Sequence, residues 1–285
     1  MKLEEIKPRI EDLIDEALDE DMPSGDITTD ALVPPHTRGR ANFMAKAEGV
    51  LAGIEVARMV FQKVDPFLKF SATYQDGSRI KGGDILAAVS GDVAGILKAE
   101  RTSLNFLQHL SGIATATAQF VKAVDGLNVQ ILDTRKTVPG LRLLEKYAVA
   151  AGGGHNHRMG LSDMVLIKDN HIAILRREGR SLAEIIHTAR IRTPGNIKIE
   201  VETTSPEQAR EAAEAGADIV MLDNMSVDAM REAVRLVNHK ALIEASGGVD
   251  LATVRRIAET GVDCISVGAI THSARALDIS LKLEI

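Results

Sequence analysis

Cationic side chains are concentrated in one stretch of a chain that is acidic overall. The run DTRKTVPGLRLLEKYAVAAGGGHNHRMGLSDMVLIKDNH, residues 133–171, contains Arg135, Lys136, His157, Arg158 and Lys168. The formal net charge of the 285 residues is −6, so this group of cations is a local feature. A compact cationic group on an acidic protein indicates a small polyanionic ligand, because a nucleic acid would need a broad basic face.

The cations follow two apolar segments of strand length. VQILDTR (129–135) and MVLIKDN (164–170) are rich in Val, Ile and Leu, and both end in charged residues. In a barrel of parallel strands, the carboxyl ends of the strands form the active-site face. We therefore expect Arg135 and Lys168 at that face, beside a loop that carries His157 and Arg158.

A third strand carries acidic residues at alternate positions. In NIKIEVET (196–203), Lys198, Glu200 and Glu202 alternate with apolar residues, as they would in a half-exposed antiparallel strand. The neighbouring segments alternate between helix and strand, however, so the charged face is expected to point into the barrel. Buried charge costs several kcal/mol, and it is usually kept for a ligand, a metal or catalysis.

Asp223 ends the next strand, in the sequence VMLDN. Together with Glu202 it places two carboxylates at adjacent strand ends. Such a pair suits Mg²⁺, which takes one or two protein oxygens and shares its other positions with phosphates and water. Hydrogen bonding to a ligand is the alternative role for both residues.

Small residues follow the last two predicted strands. Because small residues let backbone N–H groups approach a phosphate closely, and barrels often bind phosphate after their final strands, we predict a phosphate site there. Its residues are Ser246, Gly247, Gly248, Val267, Gly268 and Ala269.

Composition predicts a cytoplasmic protein that binds neither nucleic acid nor membrane. The single cysteine, Cys264, excludes an internal disulfide and fits a reducing compartment; its apolar surroundings predict a buried structural thiol. The charged N-terminus lacks a signal-peptide pattern, and no apolar run approaches the ~18 residues of a membrane span. Aromatic residues make up only 3% of the chain, which argues against stacking platforms for bases.

The elements that position these residues can be predicted from periodicity. Residues 3–18 are expected to form an amphipathic helix, residues 19–35 a loop, and residues 38–97 a small α+β region with a helix at 54–63. Residues 99–124 form one long helix, or two that break near Gly112. From residue 129 onward strands and helices alternate, and AEAGADIVMLD is repeated as AETGVDCISVG.

Six strands are predicted, near 129–133, 163–168, 197–202, 218–223, 241–245 and 263–267. Ser205, Ser226 and Asp250 are candidate N-caps of the intervening helices. This alternation indicates either an open doubly wound sheet or a closed barrel, and the pattern alone leaves both possible.

The ordered series of motifs resembles the quinolinate phosphoribosyltransferase family. It runs from ERTSLNFLQHLSGIAT through DTRKTVPGLR, GGGHNHRMGLSD, IKDNH, KIEVET, AGADIVMLDN and EASGGV to ISVGAITHSARALDISLKL, and so spans nearly the whole chain. The resemblance implies an incomplete β/α barrel of six to seven strands at residues 113–276. It also implies an N-terminal α+β open-sheet domain at residues 1–112, joined by the tail 277–285.

The resemblance further implies a reaction: quinolinate and phosphoribosyl pyrophosphate give nicotinate mononucleotide, pyrophosphate and CO₂ in NAD biosynthesis. Arg135, His157, Arg158 and Lys168 would bind quinolinate, Thr137 would contact a substrate, and Lys136 would lie near the reacting centre or the pyrophosphate. Glu202 and Asp223 would contact Mg²⁺ and the ribose. The two glycine-containing segments would hold the 5-phosphate. Arg101 would enter the active site of the partner subunit in a homodimer or a higher oligomer.

Three alternatives remain at this stage. One is an enzyme of the same fold with a different acceptor, like the relatives associated with molybdenum transport. A second is an aldolase that forms a Schiff base at Lys168, and a third is a phosphate-binding barrel without catalysis.

Overall fold

The computed structural model describes residues 3–284, with the side chains of residues 6–284. The helices are α1 (Leu3–Asp21), α2 (Ile27–Leu32), α3 (Ile54–Val64), α4 (Val93–Ala123), α5 (Arg142–Ala151), α6 (Asp169–Arg177), α7 (Leu182–Arg192), α8 (Pro206–Glu214), α9 (Val227–Val237), α10 (Val254–Ala258) and α11 (Ala269–His272). The strands are β1 (Arg38–Ala45), β2 (Gly49–Val50), β3 (Lys69–Ala72), β4 (Arg79–Ile80), β5 (Ile85–Asp92), β6 (Gln130–Leu132), β7 (Val165–Ile167), β8 (Ile199–Thr203), β9 (Ile219–Asp223), β10 (Leu242–Ser246), β11 (Cys264–Ser266) and β12 (Ile279–Glu284).

The chain forms two compact units. The first contains the residues up to Ala118, Thr137–Gly153 and those from Ile270 onward; the second contains Gln119–Lys136 and Gly154–Ala269. The domain boundaries expected from the sequence, 1–112 with 277–285 and 113–276, stay predictions. No helix within the described residues is both long and apolar enough to cross a membrane.

The first unit is built on a four-stranded antiparallel sheet with the order β12-β1-β5-β3. Its core includes three mutually packed aromatic rings, those of Phe43, Phe61 and Phe70, with centroid separations of 5.8–5.9 Å. The C-terminal strand β12 pairs with β1 along its whole length, from Ile279 to Glu284. The pairing explains why the tail belongs with the first unit.

Two expectations for this unit need comment. The loop predicted for residues 19–35 is wrong in part, because α2 lies within it; the Asp26 side chain caps this helix by accepting the N–H of Thr29 at 3.0 Å. Helix α4 is continuous through Gly112. A Cβ at Gly112 would collide with the backbone carbonyl of Arg275, so this glycine permits a close approach and does not break the helix.

The second unit contains a six-stranded parallel sheet with the order β6-β11-β10-β9-β8-β7. Each predicted strand is present, and an isolated parallel bridge also joins Leu132 to His155. Helices follow the strands in the expected alternation, so the predicted fold class, an incomplete β/α barrel with an N-terminal α+β region, is confirmed.

The helix caps of this unit agree with two of three expectations. Ser205 accepts the N–H of Gln208 at 3.3 Å, and Ser226 accepts the N–H of Ala229 at 3.2 Å. The Asp250 prediction is wrong: α10 begins only at Val254. Asp250 instead closes a turn by accepting the N–H of Thr253 at 2.8 Å.

Candidate active site

A cavity of about 380 Å³ lies in the second unit. It is lined by Thr134, Arg135, Lys136, His157, Arg158, Leu166, Lys168, Glu202, Met221, Asp223, Glu244, Ser246 and Ser266. Eight of these residues were predicted from the sequence, and they come from strand ends and loops that are far apart in the chain. The carboxyl ends of the parallel strands bring them together, as the barrel architecture requires.

Two arginines face each other in the cationic part of this cavity. Burial lowers the pKa of Arg158, and the positive charge of Arg135 lowers it further. Arginine nevertheless remains charged in proteins, so the pair presents two positive charges. Arg158 is held in place by a hydrogen bond from its Nη1 to the Met164 carbonyl, 3.1 Å long. Two arginines at close quarters form a site for a carboxylate or phosphate, which can accept paired hydrogen bonds.

The two lysines of the cavity are positioned by their own backbones. The N–H of Lys136 donates to Thr134 Oγ1 at 3.0 Å, just after β6 ends. The N–H of Lys168 donates to His171 Nδ1 at 3.0 Å, where β7 turns into α6. Both ammonium groups therefore extend from short, hydrogen-bonded turns at strand ends.

Asp133, which is fully buried, anchors the loop that carries His157 and Arg158. Its Oδ1 accepts the N–H of His157 at 2.8 Å, and its Oδ2 accepts Asn156 Nδ2 at 2.7 Å. The end of β6 thus determines the position of a loop more than 20 residues further along the chain.

The His157 ring lies between two buried glutamates. Its Nε2 is 3.1 Å from Glu200 Oε2 and 3.4 Å from Glu244 Oε2, and both glutamates are almost completely inaccessible to solvent. Burial disfavours the protonated ring, but the two carboxylates outweigh this effect and raise the pKa of His157 to about 10. The other ring nitrogen, Nδ1, lies 2.8 Å from the backbone N of Arg158 and accepts its N–H when the ring is neutral; Nε2 then carries the ring proton.

Glu202 and Asp223 line the same cavity from neighbouring strands, β8 and β9. Burial raises the pKa of Glu202, and the negative charges of Asp223 and Asp169 raise it further. Carboxylates that repel one another at a cavity wall are stabilised by a cation. Their hard oxygen ligands and their small number fit Mg²⁺.

The backbone after β10 adopts conformations that favour glycine. Gly247 and Gly248 have φ values of 92° and 62°, in the left-handed region that favours glycine. A Cβ at Gly247 would also collide with the Asn224 carboxamide, which lies in the turn after β9. Val267 is buried, so only its backbone is available to a ligand.

Four further residues with sequence expectations lie outside the cavity lining. Arg101 and Thr137 belong to the first unit: Arg101 is exposed on α4, and Thr137 Oγ1 accepts Arg142 Nε at 3.0 Å. Lys198 precedes β8 and is exposed, so its expected place inside the barrel is wrong. Cys264 is half-buried and not fully buried as expected, but burial still raises the pKa of its thiol to about 12, which fits an unreactive cysteine.

Two important residues were missed by the sequence reasoning, Asp133 and Glu244. Glu244 could have been found, because Leu242, Glu244 and Ser246 alternate along β10 just as the acidic residues do along β8. Asp133 offered no such signal. Its partners are backbone and amide groups of a distant loop, which periodicity does not reveal.

Two family models match this chain almost end to end. Residues 26–111 match "Quinolinate phosphoribosyl transferase, N-terminal domain", and residues 113–282 match the C-terminal domain of the same family. This chain belongs to the quinolinate phosphoribosyltransferase family. The family recognised from the sequence motifs is therefore confirmed, and the chain is a member of an enzyme family of pentosyltransferases.

Individual members of the family are similar over most of their length. A protein of Nicotiana glauca named "Quinolinate phosphoribosyltransferase [decarboxylating] 2, mitochondrial" is 44% identical, covering 94% of this chain and 80% of the relative. A Bacillus subtilis protein named "Probable nicotinate-nucleotide pyrophosphorylase [carboxylating]" is 41% identical over 93% and 90%. The crystal structure of NadC from Streptococcus pyogenes has a TM-score of 0.93 and 42% identity, covering 100% of this chain and 98% of the other.

Membership of this family decides between the functional alternatives. A Schiff-base aldolase and a non-catalytic phosphate-binding barrel are both set aside, because the matches cover both domains of a phosphoribosyltransferase family. The acceptor of this particular chain has to be argued from its own cavity.

Proposed function

We propose that this chain transfers the phosphoribosyl group of phosphoribosyl pyrophosphate to quinolinate and releases CO₂. The products are nicotinate mononucleotide, pyrophosphate and CO₂, a step of NAD biosynthesis. The observation that carries this proposal is the composition of the cavity: four cationic side chains share about 380 Å³ with the carboxylates of Glu202 and Asp223. Such a cavity suits an acceptor with two carboxylates beside a sugar phosphate.

The cationic residues bind the acceptor. Arg135 and Arg158 pair with one carboxylate of quinolinate through the planar geometry that arginine and carboxylate share. Lys168 and His157 contribute to binding of the dicarboxylate, and Thr137, next to Lys136 between β6 and α5, is proposed to contact a substrate. Arg135 and Arg158 carry like charges that repel each other. A negative charge between them offsets this repulsion, so the pair favours binding of an anion.

The reaction needs charge placement more than covalent participation by the protein. The bond from ribose C1 to pyrophosphate breaks, and the pyridine nitrogen of quinolinate bonds to that carbon. The ring nitrogen is then cationic, so the electron pair left at C2 when the adjacent carboxylate departs as CO₂ is stabilised; a proton then bonds to C2. Lys136 faces the departing pyrophosphate or the reacting centre. The protein holds the two substrates in contact and supplies fixed charges.

Glu202 and Asp223 are proposed to hold Mg²⁺ or the ribose hydroxyls. Mg²⁺, when bound, neutralises negative charge on the pyrophosphate. The raised pKa of Glu202, which reflects its burial and its neighbouring carboxylates, supports a site that gains from a cation. The 5-phosphate is assigned to the backbones of Ser246–Gly248 and of residues 267–269, where glycine allows close approach.

A homodimer with shared active sites is part of the proposal. Arg101 is exposed on α4, and it matches the family's arginine that reaches the acceptor site of the partner subunit. In a two-fold dimer this arrangement is reciprocal, so each subunit lends one Arg101 and receives one. A cytoplasmic location is also proposed, on the ground of the single unpaired cysteine.

One assay tests the proposed activity. The purified chain is incubated with Mg²⁺, phosphoribosyl pyrophosphate and quinolinate labelled at the C2 carboxylate, and nicotinate mononucleotide and labelled CO₂ are measured. Equal amounts of both products are expected. Nicotinate, which lacks the C2 carboxylate, serves as the control acceptor and should react poorly. Absence of product, or efficient turnover of nicotinate, would contradict the proposal.

A further inference from the structure

Two buried glutamates beside His157 have no role in the proposed reaction. His157, Glu200 and Glu244 come from a loop, from β8 and from β10, and their ligating atoms lie within 4.8 Å of one another. Glu200 has a relative exposure of 0% and Glu244 of 1%. Two carboxylates at this depth repel each other and have lost their hydration, so the cluster needs positive charge or a shared proton.

The hydrogen bonds of His157 indicate that a proton, and not a metal ion, lies between the ring and the two carboxylates. A metal bound at Nε2 would require a proton on Nδ1, because metal-bound histidines donate from their second nitrogen. Nδ1 instead accepts the N–H of Arg158 at 2.8 Å. Nε2 lies 3.1 Å from Glu200 Oε2 and 3.4 Å from Glu244 Oε2, so a proton on Nε2 faces both carboxylates.

The environment of the ring agrees with this assignment. Both oxygens of Glu200 and Oε1 of Glu244 have no aligned hydrogen bond among the described residues, so the close approach of His157 Nε2, at 3.1 and 3.4 Å, is the ion-pair contact that the structure gives these two carboxylates. Cys264, on the strand beside Glu244, contributes no charge, because burial raises the pKa of its thiol to about 12. Two other charged residues contact His157: Arg158, whose backbone N–H faces Nδ1, and Asp133, which accepts the His157 backbone N–H.

We propose that Glu200 and Glu244 are positioning residues that hold the His157 ring by a proton on Nε2 and so fix the edge it presents to the acceptor cavity. The backbone of His157 is fixed from the opposite side by Asp133, at 2.8 Å. The ring is therefore constrained at its backbone, at Nδ1 and at Nε2. The predicted effect on acceptor binding rests on the proposed function, whereas the position of the proton does not.

The position of the proton is tested by NMR without any substrate. The protein is labelled with ¹⁵N-histidine, and the signals of His157 among the eight histidines are identified by their loss in His157→Asn. A proton bound to Nε2 at neutral pH is expected in the unsubstituted protein. An Nε2 without a proton, or one whose signal is broadened by stoichiometric Mn²⁺ in the absence of substrate, would overturn the proposal.

The positioning role is tested by near-isosteric variants. Glu200→Gln and Glu244→Gln remove the charges but preserve the shape, and Glu211→Gln makes the same change at an exposed site on α8. We expect the KM for quinolinate to rise about tenfold or more in each buried variant, while the KM for phosphoribosyl pyrophosphate stays within about twofold. The control should match the unsubstituted enzyme in both constants.

Two further readouts separate positioning from a general loss of structure. The pH at which His157 titrates should fall in both buried variants, because the carboxylates that raise its pKa are removed. A purely structural role would affect both KM values or the thermal midpoint and leave the acceptor without a selective defect. An unchanged quinolinate KM in the double variant would overturn the proposal. Failure of the unsubstituted protein to convert quinolinate would refute the proposed function alone, because the NMR result does not depend on it.

Discussion

The Asp133 carboxylate accepts the backbone N–H of His157 at 2.8 Å, across 24 residues of sequence. Asp133 directly follows β6, and His157 lies in the loop before β7, so this contact joins the start of the cationic stretch to its His157–Arg158 segment. The second oxygen of Asp133 accepts Asn156 at 2.7 Å, and no part of the Asp133 side chain is accessible to solvent.

Asp133→Asn should weaken both the fold and acceptor binding. The amide can accept one of the two hydrogen bonds, but its NH₂ group would face a donor, at a cost of about 1–3 kcal/mol. Chemical denaturation should show this loss of unfolding free energy, and steady-state kinetics should show a raised quinolinate KM. Asp125→Asn, an exposed carboxylate on the loop before β6, is the matched control. If both variants behave alike, Asp133 does not position the loop.

Arg158→Lys tests whether acceptor binding needs the planar guanidinium group of Arg158. The charge is kept but the planar pair of donors is lost, so binding of a carboxylate should weaken by about 1.5–3 kcal/mol, or roughly tenfold to hundredfold. Isothermal titration with quinolinate and, separately, with phosphoribosyl pyrophosphate measures the effect; only the first should change. Arg210→Lys on the exposed face of α8 should change neither. Equal weakening of both ligands would remove Arg158 from the acceptor site.

Glu202→Gln and Asp223→Asn test the role of the two carboxylates that line the cavity. Activity should fall by about a hundredfold or more, as it does when a preorganised charge at a reacting centre is lost, and the response to Mg²⁺ should weaken. Glu207→Gln, exposed on α8, is the control. Full activity of the double variant with an unchanged Mg²⁺ response would show that the carboxylates are structural.

Glu202 should make the stability of the ligand-free protein depend on pH in a defined direction. The pKa of Glu202 is raised in the folded protein by burial and by Asp223, so folding favours its protonated form. The ligand-free protein therefore loses stability as the pH rises from about 4.5, the ordinary glutamate value, through the raised pKa. Glu202→Gln should remove this loss, which thermal unfolding across that pH range can measure. A steeper loss of stability with rising pH in the variant would contradict the predicted direction of the effect.

Arg101→Ala and Arg158→Ala test the shared active site. Each homodimer should be nearly inactive, but a mixed dimer contains one site with both arginines. Random reassortment makes roughly half the dimers mixed, which restores about a quarter of the wild-type sites. Activity is measured after dissociation and reassembly, with mixed dimers quantified by differently tagged chains. No recovery of activity, although mixed dimers form, would mean that Arg101 does not act in trans.

Cys264 should resist alkylation in the folded protein. Burial raises the pKa of its thiol to about 12, so at pH 8 the thiolate, which is the reactive form, is only about one part in ten thousand. Iodoacetamide labelling followed by mass spectrometry should show almost no reaction before denaturation and full reaction after it. Because this is the only cysteine, the modified site is unambiguous. Rapid labelling of the native protein would contradict its burial.

The local sequence pattern was sufficient to predict the strands of the second unit. Each parallel strand is a short apolar run that is bounded by turn residues and followed by a segment with apolar residues at helical spacing. The local pattern was insufficient for α2. There the capping of Thr29 by Asp26, and not hydrophobic periodicity, stabilises a six-residue helix. Helix α10 shows the reverse: Asp250 has the residue type of a cap, but the turn that it closes delays the helix to Val254.

By itself, the sequence determined the family, the fold class and eight of the residues that line the cavity, since residue type and strand position depend on local order along the chain. Tertiary structure alone decided that His157 lies between Glu200 and Glu244, that Asp133 anchors its loop, and that Lys198 lies outside. These relationships join strands and loops separated by 20 to 90 residues, and their strength depends on burial. The sequence pattern of one segment does not show which distant residue each side chain contacts. It also does not show that the contact is shielded from water, which is what makes it strong.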